Sequence, residues 1–211
     1  LTGLFTNGLS LWTIFRTRHL WNAFGYSCAS HAAGACGVLV VFVIYVTPMT
    51  FFSESIPKIF TNERVSYSVG QLSIAFYYGA VYAHILIATN RFVVISKPLS
   101  YTRYFSKEMT LRWIAVVWAV AILQSCMYQI DGCHYYYLKN EHTFTYSKTS
   151  CGEFISMYLE FGINLAFVFF VVVADTLTVI KLKVSSKVSI CKFYMLTLLL
   201  LYHYSFINSM L

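Results

Sequence analysis

Charge is what this sequence has least of. Asp, Glu, Lys and Arg make up 11% of its 211 residues, where a soluble domain carries about 25%. Together with 58% hydrophobic residues and a mean hydropathy of +0.64, this excludes an ordinary water-soluble domain and describes a chain that crosses a membrane several times. Acids are scarcer than bases, 8 against 15, for a net charge of +7. The bases fall between apolar runs and leave no continuous basic face for nucleic acid, so the excess reads as membrane topology. Catalytic signatures are missing too: there is no GxSxG, HExxH, Gly-rich phosphate loop or paired carboxylate set. Neither an enzyme nor a cofactor is therefore expected. Internal repeats and low-complexity tracts are absent apart from aromatic patches such as Tyr135-Tyr136-Tyr137, and the first basic residues follow the first apolar run, the reverse of a secretory signal.

What is present is a series of apolar segments at 1–15, 24–46, 65–92, 111–128, 154–180 and 193–211. They predict an all-α, polytopic membrane helix bundle in a single domain spanning 1–211, its surface partner the lipid bilayer. The first segment is shorter than the roughly 20 residues that cross a hydrocarbon core of about 30 Å, and is expected to be part of a first membrane helix. The chain stops as abruptly at Asn208-Ser209-Met210-Leu211 and is expected to be a piece of something longer. The first complete span is expected to close at Thr47-Pro48. Tryptophans and tyrosines at segment ends, Trp12, Trp21, Trp113 and Tyr128, are expected to sit as interface anchors.

The connectors alternate in charge. The first holds Arg16 and Arg18 with no acid, the third Lys97, Arg103, Lys107 and Arg112 against Glu108, and the fifth Lys181, Lys183, Lys187 and Lys192 with no acid. The second balances Lys58 and Arg64 against Glu54 and Glu63, and the fourth balances Lys139 and Lys148 against Asp131, Glu141 and Glu153. Cytoplasmic loops retain the Lys/Arg excess, so the odd connectors are expected inside and the N-terminus outside.

Cys28, Cys36 and Cys126 lie in apolar segments and Cys191 in an inner loop, where reduced thiols are expected. Cys133 and Cys151 share an outer loop, and an oxidising compartment permits them to pair and hold that loop over the mouth of the bundle. Cys28 and His31, three apart, are two ligands of a metal site at most; packing or helix-to-helix hydrogen bonding is the commoner role, also for His84, and no metal is expected. Besides Arg112, counted with the third connector, three charges fall within apolar segments. Glu160 lies near the outer end of its segment, seven residues past Glu153, within reach of water. Arg91 and Asp175 each precede the first lysine of an inner loop, Lys97 and Lys181, by six residues, about 9 Å of helical rise. They are expected at similar depth, either approaching each other or sharing a hydrated cavity. The alternative is that Asp175 snorkels or bonds Thr178 locally.

The outside N-terminus, basic inner loops and an arginine closing a long third segment resemble the rhodopsin-like G-protein-coupled receptors. Ala88-Thr89-Asn90-Arg91-Phe92, then Pro98-Leu99-Ser100-Tyr101 and Phe105-Ser106, are similar to the signature of nematode serpentine chemoreceptors of class x. Asp175-Thr176-Leu177-Thr178 before Lys181-Leu182-Lys183 resembles that family's fifth helix, and Gly3 with Asn7 its first. The resemblance implies a multi-pass, plasma-membrane chemosensory receptor. It would detect an extracellular small molecule or peptide and signal to a heterotrimeric G protein, about six of its seven helices being present. It assigns Asn90, Arg91, Phe92, Pro98 and, by further inference, Asp175 to the activation switch, Asn90 standing where most rhodopsin-like receptors have an acid. Ser66 stands about where those receptors have a cysteine, which leaves Cys133 and Cys151 to bond to one another. The sixth segment, around Leu201-Tyr202-His203-Tyr204, has no proline hinge.

Ligand-facing positions are placed by geometry at Tyr67, Gln71 and Ile74 on the outer third segment and Phe154 and Tyr158 on the fifth, with ordinary packing as the alternative for each. Lys181, Lys183 and Lys187 are topology determinants that can also meet the partner. The other readings are a small secondary transporter or channel subunit, which intramembrane charge favours slightly without the expected inverted repeats, and a receptor fragment without activity.

Overall fold

Scarce charge and long apolar runs fold into a bundle of helices, seen here in a computed structural model that describes residues 2–52, 60 and 62–184. The helices are α1 (Thr2–Arg16), α2 (Ala23–Phe51), α3 (Glu63–Ser96), α4 (Lys107–Gln129) and α5 (Ser150–Lys183). The last four are each long and apolar enough to cross a membrane. The segment expected at 193–211, with Cys191, Lys187 and Lys192, lies outside the described residues.

Polar caps start the long helices. The side chains of Asn22, Asn62, Ser106 and Thr149 accept the backbone N–H groups of Gly25, Arg64, Met109 and Gly152 at 2.9, 3.0, 3.3 and 3.1 Å, satisfying donors that have no partner inside the helix. The expected stop at Thr47-Pro48 is not one: α2 runs on to Phe51. Pro48 lacks the N–H that a regular helix would need there. The preceding residues, Phe42–Val46, open into a π-helical stretch in which the Thr47 N–H bonds to the Phe42 carbonyl, and this absorbs the defect.

α3 is the axis of the bundle. Of its most apolar 18 residues 67% are buried, against 28%, 17% and 22% in α2, α4 and α5. At 34 residues it is about 51 Å long and projects beyond a bilayer core of about 30 Å. α2 and α4 run antiparallel to it and α5 parallel, while α1 packs on α2. Close approach of α2 and α3 depends on Gly34, where an added Cβ would lie 2.8 Å from the Ala80 nitrogen. Across the same seam the Nδ1–H of His31 donates to the Ala80 carbonyl at 2.9 Å, and on the α4 side Trp118 Nε1–H donates to Ser30 Oγ at 3.0 Å. His31 therefore serves as a helix-to-helix link.

A two-stranded antiparallel hairpin, β1 (Tyr135–Leu138) and β2 (Thr143–Tyr146), interrupts the otherwise helical fold between α4 and α5 and lies on the N-terminal end of α3. Gly70 admits it, because a Cβ there would sit 1.9 Å from the Tyr135 carbonyl oxygen. The Tyr67 ring stacks on His134 at 4.0 Å, and Ser66 Oγ accepts the Tyr137 N–H at 3.0 Å. Cys133, just before β1, is bonded to Cys151 in the first turn of α5. The hairpin is thus held to both helices. At the opposite end, among the described residues, Arg16, Arg18, Lys97, Arg103, Lys107, Arg112, Lys181 and Lys183 gather with the single acid Glu108.

Trp12, Trp21 and Trp113 are exposed at 60%, 50% and 42%, as interface anchors would be. Tyr128 is not: it is fully buried beneath the hairpin, with its hydroxyl turned to Glu160.

Candidate functional site

Two polar centres lie along α3, one at its C-terminal end and one around its midpoint. The first is built from the residues that end the helix at its basic pole. Arg91 Nη2 donates to Asp175 Oδ1 at 2.9 Å and to Oδ2 at 3.1 Å, with the two side chains 10% and 14% exposed. Because α3 and α5 run parallel, equal distances from Lys97 and Lys181 become equal depths. Thr178, the local partner considered for Asp175, donates instead to the Ala174 carbonyl at 2.7 Å. Arg91 Nε is buried without a hydrogen-bond partner among the described residues, so the guanidinium is anchored through one of its nitrogens.

The neighbours of Arg91 brace this end. Phe92 lies under Lys181 Nζ, 5.3 Å from the ring centroid, a second bridge between α3 and α5. Pro98 disfavours a helical conformation at Lys97, which adopts φ −142° and ψ 62°, and α3 stops there. The chain then turns through Pro98–Ser100 into a short helix, Tyr101–Tyr104. That return brings Tyr101 back to buried Asn90, whose Nδ2 donates to the Tyr101 hydroxyl at 3.2 Å. Tyr101 also stacks on buried Phe105 at 5.7 Å. All five residues expected at the switch therefore meet at one helix end, and Tyr101 joins them. Its place in the motif was visible in the sequence, but its bond to Asn90 depends on a turn geometry that spacing does not fix.

The second centre lies under the hairpin. The α5 stretch Ile155–Gly162 is π-helical, so each turn takes an extra residue and the positions beyond are rotated relative to an uninterrupted helix. This turns Glu160 into the bundle. Its Oε1 accepts the Tyr128 hydroxyl, its Oε2 accepts Asn164 Nδ2 at 3.4 Å, and the Tyr78 hydroxyl interacts with both the carboxylate and the Leu159 carbonyl, the latter at 3.2 Å. The rings of Tyr78 and Tyr82 stack 5.5 Å apart, and the Tyr82 hydroxyl donates to Gln124 Oε1. Above, Tyr135 and Tyr146 close the cluster; burial, and after it the Glu160 charge, push both phenols well above their ordinary range.

The five residues expected to face a ligand have these surroundings. Phe154 and Tyr158 line an open cavity of about 700 Å³ between β2 and the start of α5. Tyr67 is occupied by the hairpin, Gln71 bonds Gln129, and Ile74 packs in the core with Tyr78, Tyr128 and Ile155. The tyrosines around Glu160 escaped sequence reasoning because Tyr128 reads as an interface anchor and the π-helical phase of α5 has no sequence marker.

Four helices long and apolar enough to cross a membrane, packed as one bundle, define the class: a multi-pass helical membrane protein. Over residues 1–197 the chain matches the family described as Serpentine type 7TM GPCR chemoreceptor Srx, and it belongs to that family. It is 23% identical over 185 residues to "Serpentine receptor class X 45" of Caenorhabditis elegans, an alignment covering 88% of this chain and 50% of that protein. The chain thus spans about half the length of this curated relative.

Proposed function

We propose that this chain is the signalling core, in one domain, of a chemosensory receptor of the plasma membrane, with its N-terminus outside. It would take a small extracellular ligand at the hairpin end and pass the signal to a heterotrimeric G protein at the basic end. The observation that carries this reading is the Arg91–Asp175 contact. It joins α3 to α5 where both leave the membrane, beside Tyr101 and the basic residues that a cytoplasmic partner would meet. In the resting arrangement Asp175 holds the arginine against α5. An outside ligand that favours a different spacing of α3 and α5 releases it, and the population shifts towards the form that binds G protein.

The test is G-protein activation by the complete gene product in cells, with surface expression measured alongside. Asp175→Asn is expected to raise basal activity and Arg91→Ala to abolish both basal and ligand-dependent activity at unchanged expression. Loss of expression in both variants, with no change in activity per receptor, would make the pair structural and overturn the reading.

A further inference from the structure

Glu160 is an acid inside a long apolar helix that, among the described residues, lacks what Asp175 has, a cation beside it. Among the described residues its partners are neutral: Tyr128, Asn164 and Tyr78. Placing a carboxylate in a low-dielectric bundle is unfavourable without a compensating charge, and three neutral donors offset only part of that cost. Around it stand tyrosines, Tyr78 and Tyr128 fully buried with their hydroxyls toward the carboxylate and Tyr82 stacked on Tyr78. A carboxylate among aromatic rings is the environment that attracts an ammonium group, through its charge and through cation–π contact. A second unsatisfied group lies one step away: Gln124 accepts the Tyr82 hydroxyl through Oε1, while its Nε2 is buried with no partner among the described residues.

There is also an approach. Tyr146 belongs both to the cluster around Glu160 and to the wall of the 700 Å³ cavity, with Ser147, Ser150, Phe154, Met157 and Tyr158. Tyr146, on a hairpin strand, thus borders the cavity and stands near the carboxylate. The Cys133–Cys151 bond fixes the base of that hairpin to α5, keeping cavity and carboxylate in register.

Resting on the receptor reading above, we infer that Glu160 is the counter-ion of a small organic amine that enters beside Tyr146 and is held as an ammonium among Tyr78, Tyr82 and Tyr128, with Gln124 Nε2 free to donate to an acceptor on the ligand. The amine supplies the cation that Glu160 lacks among the described residues. Because Glu160 and Asp175 lie on one helix, occupancy above is coupled to the Arg91 contact below through α5.

The test uses the purified complete gene product in lipid nanodiscs and two pairs of probes differing in charge but not in shape: phenethylamine with 2-phenylethanol, and cyclohexylamine with cyclohexanol. Intrinsic fluorescence titration is expected to show each amine binding at least about tenfold more tightly than its alcohol. Glu160→Gln is expected to abolish the preference, and Tyr128→Phe, which keeps the ring but removes a competing neutral donor, to strengthen it. Equal affinities for amine and alcohol in the unaltered protein, no amine saturating below about 1 mM, or a preference that persists in Glu160→Gln would each overturn the inference. The first two need no variant to fold. Measuring G-protein activation on the same protein separates the two readings. Arg91-dependent activation without amine preference removes the amine site and leaves the receptor; Glu160-dependent amine binding without any activation does the reverse.

Discussion

The hydroxyl of Ser66 accepts the backbone N–H of Tyr137 at 3.0 Å, joining the N-terminal end of α3 to β1 of the hairpin. Ser66 occupies about the position where the rhodopsin-like resemblance leads one to look for a cysteine. The two structural tasks of such a cysteine are divided here: Cys133–Cys151 ties the hairpin to α5, and Ser66 ties it to α3. Because Ser66 is only 9% exposed, Ser66→Ala leaves a buried N–H without its partner and should cost about 1–3 kcal/mol. Amide exchange at Tyr137 and Leu138 should quicken in that variant while exchange in the middle of α3 stays unchanged. An unaltered hairpin would mean that Tyr67, Gly70 and the disulfide suffice to hold it.

The disulfide closes a loop with a sequence separation of 18 residues. On loop length alone, opening it should lower stability by about 3 kcal/mol. In a background with the remaining cysteines replaced by serine, a maleimide should add to neither thiol before reduction and to both after it, read as a mass increase. The double variant Cys133→Ser with Cys151→Ser should unfold at lower temperature and become insensitive to reductant. Labelling of both thiols without reductant would show that they are unpaired in the native protein.

Gly70 permits backbone contact between α3 and the hairpin. Alanine normally favours a helix over glycine by about 1 kcal/mol, but here the added methyl would meet the Tyr135 carbonyl oxygen at 1.9 Å, so the sign should reverse. Gly70→Ala is expected to lower the thermal midpoint and to raise the susceptibility of the 135–146 hairpin to protease. A raised midpoint with an intact hairpin would show that the strand can shift without loss.

Much of the helical order was legible because apolar run length sets the spans and loop charge sets their alternation. Arg91 and Asp175 were legible for a simple geometric reason: they lie six residues before Lys97 and Lys181, and two parallel helices convert equal counts into equal depth. Three features were hidden, and each depends on backbone phase. Pro48 looked like the end of a span but is absorbed by the π-helical stretch before it; the π-helical stretch of α5 redirects Glu160 inward; and Tyr128, placed like an anchor by sequence, is drawn under the hairpin to meet it. The contacts of Tyr67 with the hairpin were hidden for a related reason. The outer face of α3 is covered by a hairpin whose strands, four residues each, are too short to declare themselves in a chain dominated by helical runs.

Tyr101 returns to Asn90 through the turn that Pro98 initiates, so this bond reports whether the connector after α3 is docked. Tyr101→Phe keeps the ring stacked on Phe105 and removes only the hydroxyl, for an expected loss of about 0.5–1.5 kcal/mol. Amide exchange in 101–104 should rise, and G-protein activation should change with no effect on amine affinity. Asn90→Ala should produce the same two effects, and adding Tyr101→Phe to it should contribute nothing further. Independent effects of the two variants would show that the hydroxyl and the amide act separately.

The Arg91–Asp175 pair is the point at which structure and proposed signalling can be separated. Both side chains are largely buried, so removing one partner leaves a charge in the bundle, a loss of about 3–5 kcal/mol for a fully buried pair and less here because water still reaches each side chain. Asp175→Asn and Arg91→Gln should therefore each lower the unfolding midpoint. The double variant, in which neither charge remains, should be more stable than the sum of the single losses predicts, with a coupling of about 0.5–3 kcal/mol. Stability and signalling then diverge. Asp175→Asn frees the arginine and should raise basal activity, whereas the double variant recovers stability but has no arginine to present and should be silent. Additive stability losses would mean the two residues do not interact energetically at the 2.9 Å at which they meet. Basal activity surviving in the double variant would place the G-protein contact elsewhere at the basic pole.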